Sequence, residues 1–577
     1  MGVDLTVSKL DVLVVGSGIA GLSVALENSA LDVAVPTKVY PHRSHSASAQ
    51  GGISAALGNE EEDRWEWHMF DTVKGSDYLA DQNVVEIFAK DAPAALYELE
   101  HMGVPFSRNA DGKIAQRSFG GHTSNFGEKS VKRACYASDR TGRVILDTLY
   151  EQCIKHNIKF YPEFFVTSLL ISDHTCVGLT AYEIASGELH VFHSRATVLA
   201  TGGCGRIFKT TSNAYATTGD GPAIAYRAGV PLEDMEFIQF HPTGIYRLGI
   251  LISEAARGEG AVLTNGLGER FMERYAPTLK DLAPRDVVSR SILTEVREGR
   301  GVNKDDYVNL DLTLLGKDRI EERLPDLSSF ARTYLSVDVT KEPIPVAPTC
   351  HYLMGGIPTD SEGRVVTENG VVNGLFAAGE CACVSLHGAN RLGTNSLLDL
   401  VVFGKRTGKA VLEHLKNSRF ETLPGNEVER FQNEIRDLRE SKGEERVYAI
   451  RKEMQEAMFQ KCSVFREKQG LEAALGTIQR LKKRYGNIRI EDKGRTFNQE
   501  IIEAVELGFM LELSEAIIVS AIAREESRGA HYREDFAVRD DAKFLKHTLV
   551  SKLGSKNPSI SYKPVVITRF EPKPRVY

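Results

Sequence analysis

The chain enters a run of apolar and β-branched residues, LDVLVVG at 10–16, that stops on a glycine. Such a run, too short for a helix and bounded by a turn residue, predicts a buried strand. The following GSGIAGLSVAL predicts a tight turn that opens directly into a helix. A second β-rich run spans Val33 to Val39, and the small-residue stretch Ser44–Gly52 comes after it. The strand-then-glycine pattern returns in TVLATGG, ending at Gly203, and in GLFAAGE, ending at Glu380. Strands with glycine-rich ends, spread this widely, predict one α/β domain interrupted by an insertion at about 235–349.

Between Pro424 and Pro558 the chain has no proline. Within that span EVERFQNEIRDLRE and EAALGTIQRLKKRYG combine helical spacing with mixed charge, which predicts a helical domain with solvated charged faces. The last residues, KNPSISYKPVVITRFEPKPRVY, are punctuated by proline and read as an extended segment wrapped over another domain or a partner. No run of about 18 apolar residues occurs, so no membrane span is expected. The opening MGVDLTVSKLDVLVVGSG lacks the basic and apolar regions of a targeting segment.

Composition narrows the function classes. The 577 residues are 42% hydrophobic and 26% charged, ordinary for a globular protein of several domains. A formal net charge of −7 provides no basic field for phosphates, which argues against a nucleic-acid partner. The cysteines Cys135, Cys153, Cys176, Cys204, Cys350, Cys381, Cys383 and Cys462 are scattered, which suggests a reducing compartment. Cys381 and Cys383 form C-x-C, but no second cluster completes a zinc or iron–sulfur ligand set, so no metal site is expected.

Gly16, Gly18 and Gly21 make G-x-G-x-x-G directly after the first strand. The first glycine permits the turn, the second lets backbone approach a pyrophosphate, and the third allows close helix–strand packing. The helix N-terminus then favours the anionic phosphates. The carboxylate that usually binds ribose after the second strand is missing, since Thr37 and Lys38 stand there. A second glycine motif for a nicotinamide and a C-x-x-x-x-C redox pair are also absent. The pattern reads as an FAD site without NAD(P), with Lys38, Asp220 in TTGDG and Glu380 in AAGE as further candidate cofactor contacts.

The run RSHSASAQGG at 43–52 resembles the flavin-attachment segment of succinate dehydrogenase and fumarate reductase flavoprotein subunits. Matching blocks continue with QFHPTG at 239–244, SEAARGEG at 253–260, GERFMERYAP at 268–277 and PRDVV at 284–288. HYLMGGI at 351–357, HGANRLGTNSLLDLVVFG at 387–404 and SRGAHYREDF at 527–536 carry the resemblance almost to the C-terminus. It implies a Rossmann-like FAD-binding domain, 1–234 and 350–417, interrupted by an α+β capping domain at 235–349. A helical domain at 418–540 and an extended C-terminal segment at 541–577 follow. It also implies that His45 bonds covalently to the flavin 8α carbon and that Gly51, Gly52, Ser396 and Leu397 contact the FAD. An electron-withdrawing imidazole makes the flavin easier to reduce, which suits an unactivated C–C bond as electron donor.

A substrate with two carboxylates needs donors at both ends and a proton-transfer group beside the reacting carbons. By resemblance His241, His351 and Arg391 hold the carboxylates, and Ser253 supplies a hydroxyl where the family pattern carries threonine. Proton transfer falls to Arg285, relayed through Glu254 and Arg257, whose spacing of three places them on one side of a helical turn. Arginine is ordinarily no base, so the role requires neighbouring positive charge, Arg257 and Arg391, in a closed site. The implied activity is interconversion of succinate and fumarate, with the insertion as a mobile cap. Electrons would pass to an iron–sulfur subunit, and through it to quinone and membrane anchor subunits, which places the chain peripherally on the cytoplasmic face of the inner membrane. L-Aspartate oxidase shares the fold and an SRGxHY block but lacks the attachment histidine, so His45 and the wrapped C-terminal segment favour the respiratory enzyme. Gln50 in SAQGG and the LLDLVVFG run lean modestly toward succinate oxidation.

Overall fold

The computed structural model describes residues 5–552 and 557–576. Its core is an eight-stranded sheet. The strand Leu5–Val15 lies at the centre, parallel to Val33–Thr37 on one side and to Leu189–Leu199 on the other. Lys159–Pro162 extends one edge in parallel, and Gly370–Ala377 joins Leu189–Leu199, also in parallel. The strands Phe164–Ser172 and Thr175–Glu183 add antiparallel pairs, as does the edge strand Arg364–Thr367. The inner residues Val12 to Val14 and Val33 to Val35 are buried, as near-continuous apolar runs in a parallel sheet covered on both faces must be. Gly370–Ala377 thus returns, after the insertion, to the sheet that the first two hundred or so residues began.

The first strand is longer than its apolar run predicts. Thr6–Lys9 is largely exposed, and Leu5–Lys9 pairs residue for residue with Leu189–His193, so backbone pairing rather than burial extends it. The turn after it works as the glycines require. Gly16 has φ +104°, and a Cβ there would lie 2.4 Å from the Ala200 carbonyl oxygen. A Cβ on Gly21 would lie 2.0 Å from the Gly16 carbonyl oxygen, so only glycine lets the helix Ile19–Glu27 pack this close to the strand end.

Between the two parts of the main sheet lies a second, four-stranded sheet, in the order Ile238–Ile245, Ile344–Leu353, Val308–Asp311, Val262–Thr264. Together with the helix Arg285–Arg297 and the pair Lys317–Arg323 and Pro325–Leu335, it encloses an apolar core of its own. The junction expected at 349/350 falls inside the strand Ile344–Leu353, so one continuous strand leads from the inserted sheet back toward the main one. The proline-free span contains four long helices, Gly425–Glu440, Val447–Lys461, Lys468–Tyr485 and Gln499–Ala523. The last is buried along most of its length and packs against Asp220–Arg227 of the first domain.

The C-terminal segment forms the hairpin Lys546–Ser551 and Ser559–Pro564, then runs extended. His547 on this hairpin is fully buried and faces Asp234 at 2.6 Å, Asp81 at 3.3 Å and Glu233 at 3.4 Å. Lys563 also reaches Glu233, at 2.8 Å. Burial opposes a charged imidazole, but the carboxylates outweigh it and raise the His547 pKa to about 10. The folded value lies above the ordinary value of about 6.5, so this contribution to stability is complete below about pH 6.5 and is lost as pH rises toward 10. Thermal melts across that window should show the wild-type midpoint falling by several degrees, and His547→Gln, already destabilised at pH 6, should fall less. Parallel curves for the two proteins would refute the assignment.

Candidate active site

The strand ends, the small-residue stretch and the inserted sheet border one long cleft. Its walls include Gly16, Gly18, Lys38, His45, Gly51, Gly52, Asp220, Glu380, Ser396 and Leu397 at the nucleotide side. At the other end are His241, Ser253, Glu254, Arg285, His351 and Arg391. Of the residues singled out in the sequence, Gly21 and Arg257 stand behind the wall, Gly21 in the strand–helix contact and Arg257 beside Glu254.

At the nucleotide end the helix Ile19–Glu27 points its N-terminus into the cleft, with Gly18 at its cap. A Cβ on Gly18 would lie 3.1 Å from Ser44 Oγ, which keeps the entry narrow. Lys38 is largely buried in an ion-pair group with Asp220 at 2.6 Å and Glu506 at 2.9 Å, and it also donates to Thr218 Oγ1. The lysine therefore ties the start of the helix Asp220–Arg227 to the helix Gln499–Ala523 while presenting a face to the cleft. Glu380 accepts from Leu353 N at 3.1 Å, and burial raises its pKa to about 7. The helix Asn395–Leu415 starts after Thr394 in left-handed conformation, φ 65°, which sets Ser396 and Leu397 of its first turn on the cleft wall.

The stretch Ser44–Gly52 folds into a short 3-10 turn, His45–Ser48, followed by extended backbone. Arg117, a buried cation, donates to the carbonyl oxygens of Gly51 at 2.7 Å, Gln50 at 3.2 Å and Ser138 at 3.2 Å. The Gln50 Oε1 atom has no partner within the described residues. His45 turns toward the segment Ser212–Ala214: Ala214 N donates to Nδ1 at 3.3 Å, and Asn213 Nδ2 lies 3.2 Å from Nε2. A donor at Nδ1 requires a lone pair there, which leaves Nε2 as the nitrogen able to carry a proton or a bond. Desolvation lowers the His45 pKa to about 4, so the ring is neutral.

At the other end charge is concentrated. Arg285 Nε donates to Glu254 Oε2 at 2.8 Å, and Arg257 Nη2 lies 3.7 Å from the same oxygen. Gly120 N donates to Glu254 Oε1 at 2.9 Å. Burial would raise the Glu254 carboxyl, but Arg285 and Arg257 outweigh it and hold it below the ordinary carboxylate range. Burial, and then Arg285, lower the Arg391 pKa to about 9, and burial also lowers that of Arg257. His241 and His351 sit with ring centroids 5.1 Å apart, and burial followed by the nearby arginines keeps both well below their usual pKa, hence neutral. Thr243 N donates to His241 Nδ1 at 3.2 Å, so Nε2, without a partner among the described residues, carries the proton and is free to donate. Ser253 Oγ accepts from Ala255 N at 3.2 Å and keeps its own proton for the cleft.

Two residues that the sequence did not single out complete this end. Gln239 Oε1 accepts from both Arg285 Nη1, 3.0 Å, and Arg391 Nη2, 3.1 Å, while its Nε2 donates to Arg391 O at 2.7 Å and Asn390 Oδ1 at 3.0 Å. It holds two guanidinium groups at a fixed separation. Its place two residues before His241 on one strand was the available signal, because such residues share a face. Ser212 Oγ, 2.8 Å from His351 Nδ1, had no signal in TSNAYATTGDG.

A glycine turn, a helix end aimed into the cleft and a far wall of cationic and neutral donors are the architecture of a dinucleotide-binding protein. Residues 11–397 match the FAD binding domain family, and residues 451–577 match the fumarate reductase flavoprotein C-terminal family. The succinate dehydrogenase flavoprotein subunit of Rickettsia conorii is 50% identical over 570 residues, covering 97% of this chain and 96% of that protein. A fumarate reductase flavoprotein subunit of Mycobacterium tuberculosis is 42% identical, covering 98% of this chain and 99% of its own. Among solved structures, a singly substituted form of the E. coli quinol fumarate reductase flavoprotein superposes with TM-score 0.93 at 38% identity, covering 99% of each chain. The chain belongs to the succinate dehydrogenase/fumarate reductase flavoprotein family and is an FAD-binding oxidoreductase. These relatives do not favour the aspartate oxidase alternative.

Proposed function

We propose that the chain is the catalytic subunit of a membrane-associated succinate:quinone oxidoreductase, with FAD bound covalently through His45 and a lean toward succinate oxidation. The observation that carries this reading is the convergence of Arg285, Arg391, His241 and His351 on one cleft end that also reaches His45. The cleft fits the cofactor: the helix end at Gly18 and the largely buried Lys38 meet its phosphate-bearing half, and the segments around His45, Gly51, Gly52 and Ser396 meet the ring. When bound, FAD supplies the hydride acceptor and donor.

The side chains do the rest. Arg391, His351 and His241 bind the carboxylates, and Ser253 donates its hydroxyl. Arg285 takes the proton from the second methylene of succinate, or returns it to fumarate, and Glu254 and Arg257 lead that proton away. Neutral histidines donate without adding charge, so the arginines stabilise the negative charge that develops on a carboxylate during proton removal. Gln50, where reductases tend toward glutamate, and relatives named succinate dehydrogenase support the lean toward oxidation. Electrons then leave to an iron–sulfur subunit and reach quinone through membrane anchor subunits; a related Mycobacterium smegmatis enzyme was solved in complex with UQ1. No helix among the described residues is long and apolar enough to cross a membrane, which suits a peripheral place on the inner membrane's cytoplasmic face. The units 1–234 with 350–417, 235–349, 418–540 and 541–577 are the FAD, capping, helical and tail parts of this reading.

Acid denaturation of the enzyme isolated from its native membranes tests the reading. Yellow flavin should stay on the polypeptide and map to the His45 peptide, and the native enzyme should reduce a dye when given succinate. Flavin released into the supernatant would overturn covalent attachment, and no succinate-dependent dye reduction would overturn the activity.

A further inference from the structure

Gln50, Gly51 and Gly52 line the cleft, and Arg117 stands behind them on the strand Gln116–Ser124. Its guanidinium is buried and grips backbone. Nε and Nη2 donate to Gly51 O at 3.1 and 2.7 Å, and Nη2 also reaches Gln50 O and Ser138 O, each at 3.2 Å. The Tyr136 ring stacks on the group, its centroid 4.4 Å away. No carboxylate accepts a hydrogen bond from Arg117 among the described residues, and Nη1 has no partner among them. Burial lowers its pKa to about 10, so the group stays charged at neutral pH.

This grip decides where two N–H groups point. In a trans peptide the C=O and N–H bonds point in opposite directions. The carbonyls of Gln50 and Gly51 turn onto Arg117, so the N–H groups of Gly51 and Gly52 face away from it, on the cleft side. Neither donates to any group among the described residues. Gly52 is buried, and a buried backbone donor is almost always paired, so the missing acceptor belongs to a bound group. No side chain intervenes, since a Cβ on Gly51 would lie 2.7 Å from the Phe119 ring and one on Gly52 2.7 Å from Cys135 O. The wall here is bare backbone with a cation one peptide unit behind it.

We propose that Arg117 is a positioning residue that sets the reduction potential of the flavin, by aiming two backbone donors at the ring and backing them with a positive charge. This role rests on the proposed seat of the ring at Gly51 and Gly52, and not on attachment at His45. FAD that has accepted a hydride carries one more negative charge than oxidised FAD. Fixed donors and a nearby cation therefore favour the reduced form. A buried cation whose partners are all neutral is otherwise unfavourable, and the reduced ring is the anion that offsets it. Arg117 does this without lining the cleft, which sets it apart from Arg285 and Arg391.

Redox titration of the whole enzyme with a chemical reductant, read by flavin absorbance, compares Arg117→Gln and Arg117→Lys with the unsubstituted protein. FAD content is read on the same preparations. Arg117→Gln keeps a donor but no charge. It should lower the equilibrium constant for flavin reduction by about tenfold or more, which is about 30 mV in midpoint potential for a two-electron couple. Arg117→Lys keeps the charge but cannot span the same carbonyls, and should lower the constant by about threefold. Both are repeated together with His45→Ala, where no covalent link contributes, and the same shifts should recur. Constants within about twofold of the unsubstituted enzyme in both variants, or shifts that vanish with His45→Ala, would overturn the inference and leave the proposed function standing. If Arg117→Gln binds no FAD, Arg117→Lys decides by the same measure. Loss of FAD from both would overturn the inference by making Arg117 a support of the fold. An unsubstituted enzyme whose flavin is not reduced by succinate would overturn the proposed function alone, since the titration does not depend on succinate.

Discussion

Arg285→Ala should lower kcat for succinate oxidation by about 10³-fold or more, at the upper range for loss of a proton-transfer group, while FAD content stays at the wild-type level. Arg285 opens the helix Arg285–Arg297, and its guanidinium is held by Glu254 and Gln239 rather than by any group of the nucleotide end. Its removal therefore deletes a cation from the substrate end without touching the residues proposed to hold the cofactor. Glu254, which loses its 2.8 Å partner, keeps Arg257 and the Gly120 N–H, so the carboxylate is not stranded. Arg285→Lys keeps the charge but not the planar fork, and should recover little activity. Steady-state assays with a dye acceptor, together with flavin absorbance, decide the matter. A kcat for Arg285→Ala within about tenfold of wild type would remove Arg285 from proton transfer, since general acid–base groups contribute about 10²-fold at least.

The second large effect is expected for His45→Ala. The variant should bind FAD without a covalent link and lose succinate oxidation by about tenfold or more, while retaining a much larger share of fumarate reduction. The reasoning is electronic. Loss of the imidazole substituent lowers the flavin potential, and for a two-electron couple about 30 mV corresponds to a tenfold change in equilibrium constant. Oxidation of an unactivated C–C bond needs a high potential, so it suffers first. The cleft would survive, because the segment before Ala214 is held by Cys350 N to Thr210 O, Ser212 N to Cys350 O and the Asn213 amide to His351 O, none of which involves His45. Assaying both directions on the same preparation separates this effect from general damage, which would lower both rates together. Unchanged oxidation would undercut the electronic argument.

Features that follow from local sterics were legible in the sequence. Gly16 and Gly21 could be assigned because the approach of a helix to a strand end tolerates no Cβ, and the structure shows that contact. The helical span could be assigned because proline-free, amphipathic segments have few alternatives. The substrate end was different. Arg285 and Glu254 are thirty-one positions apart and meet only because the inserted sheet and its helix fold together, so family resemblance rather than periodicity brought them into view. Arg117 acts by bridging Gln50, Gly51 and Ser138, remote from it in sequence, and a lone arginine carries no local mark of such a role, whereas Gln239 is marked only by the strand face it shares with His241. The extension Leu5–Lys9, with only two apolar residues, lies outside the apolar run for a related reason, since pairing with Leu189–His193 supplies what apolar pattern does not.

At the substrate end Arg285 and Arg257 flank the carboxylate of Glu254, and Arg391 shares Gln239 Oε1 with Arg285, so three guanidinium groups cluster while the histidines stay neutral. On the proposed function this cluster of positive charge receives a dianion, and succinate and fumarate are both dianions. Such a site cannot discriminate strongly between them, so product competes with substrate at every turnover. On that reading product inhibition is built into the electrostatics, and the net flux follows the ratio of the two acids and the redox state of the electron acceptor, with the cleft adding only the modest lean read from Gln50.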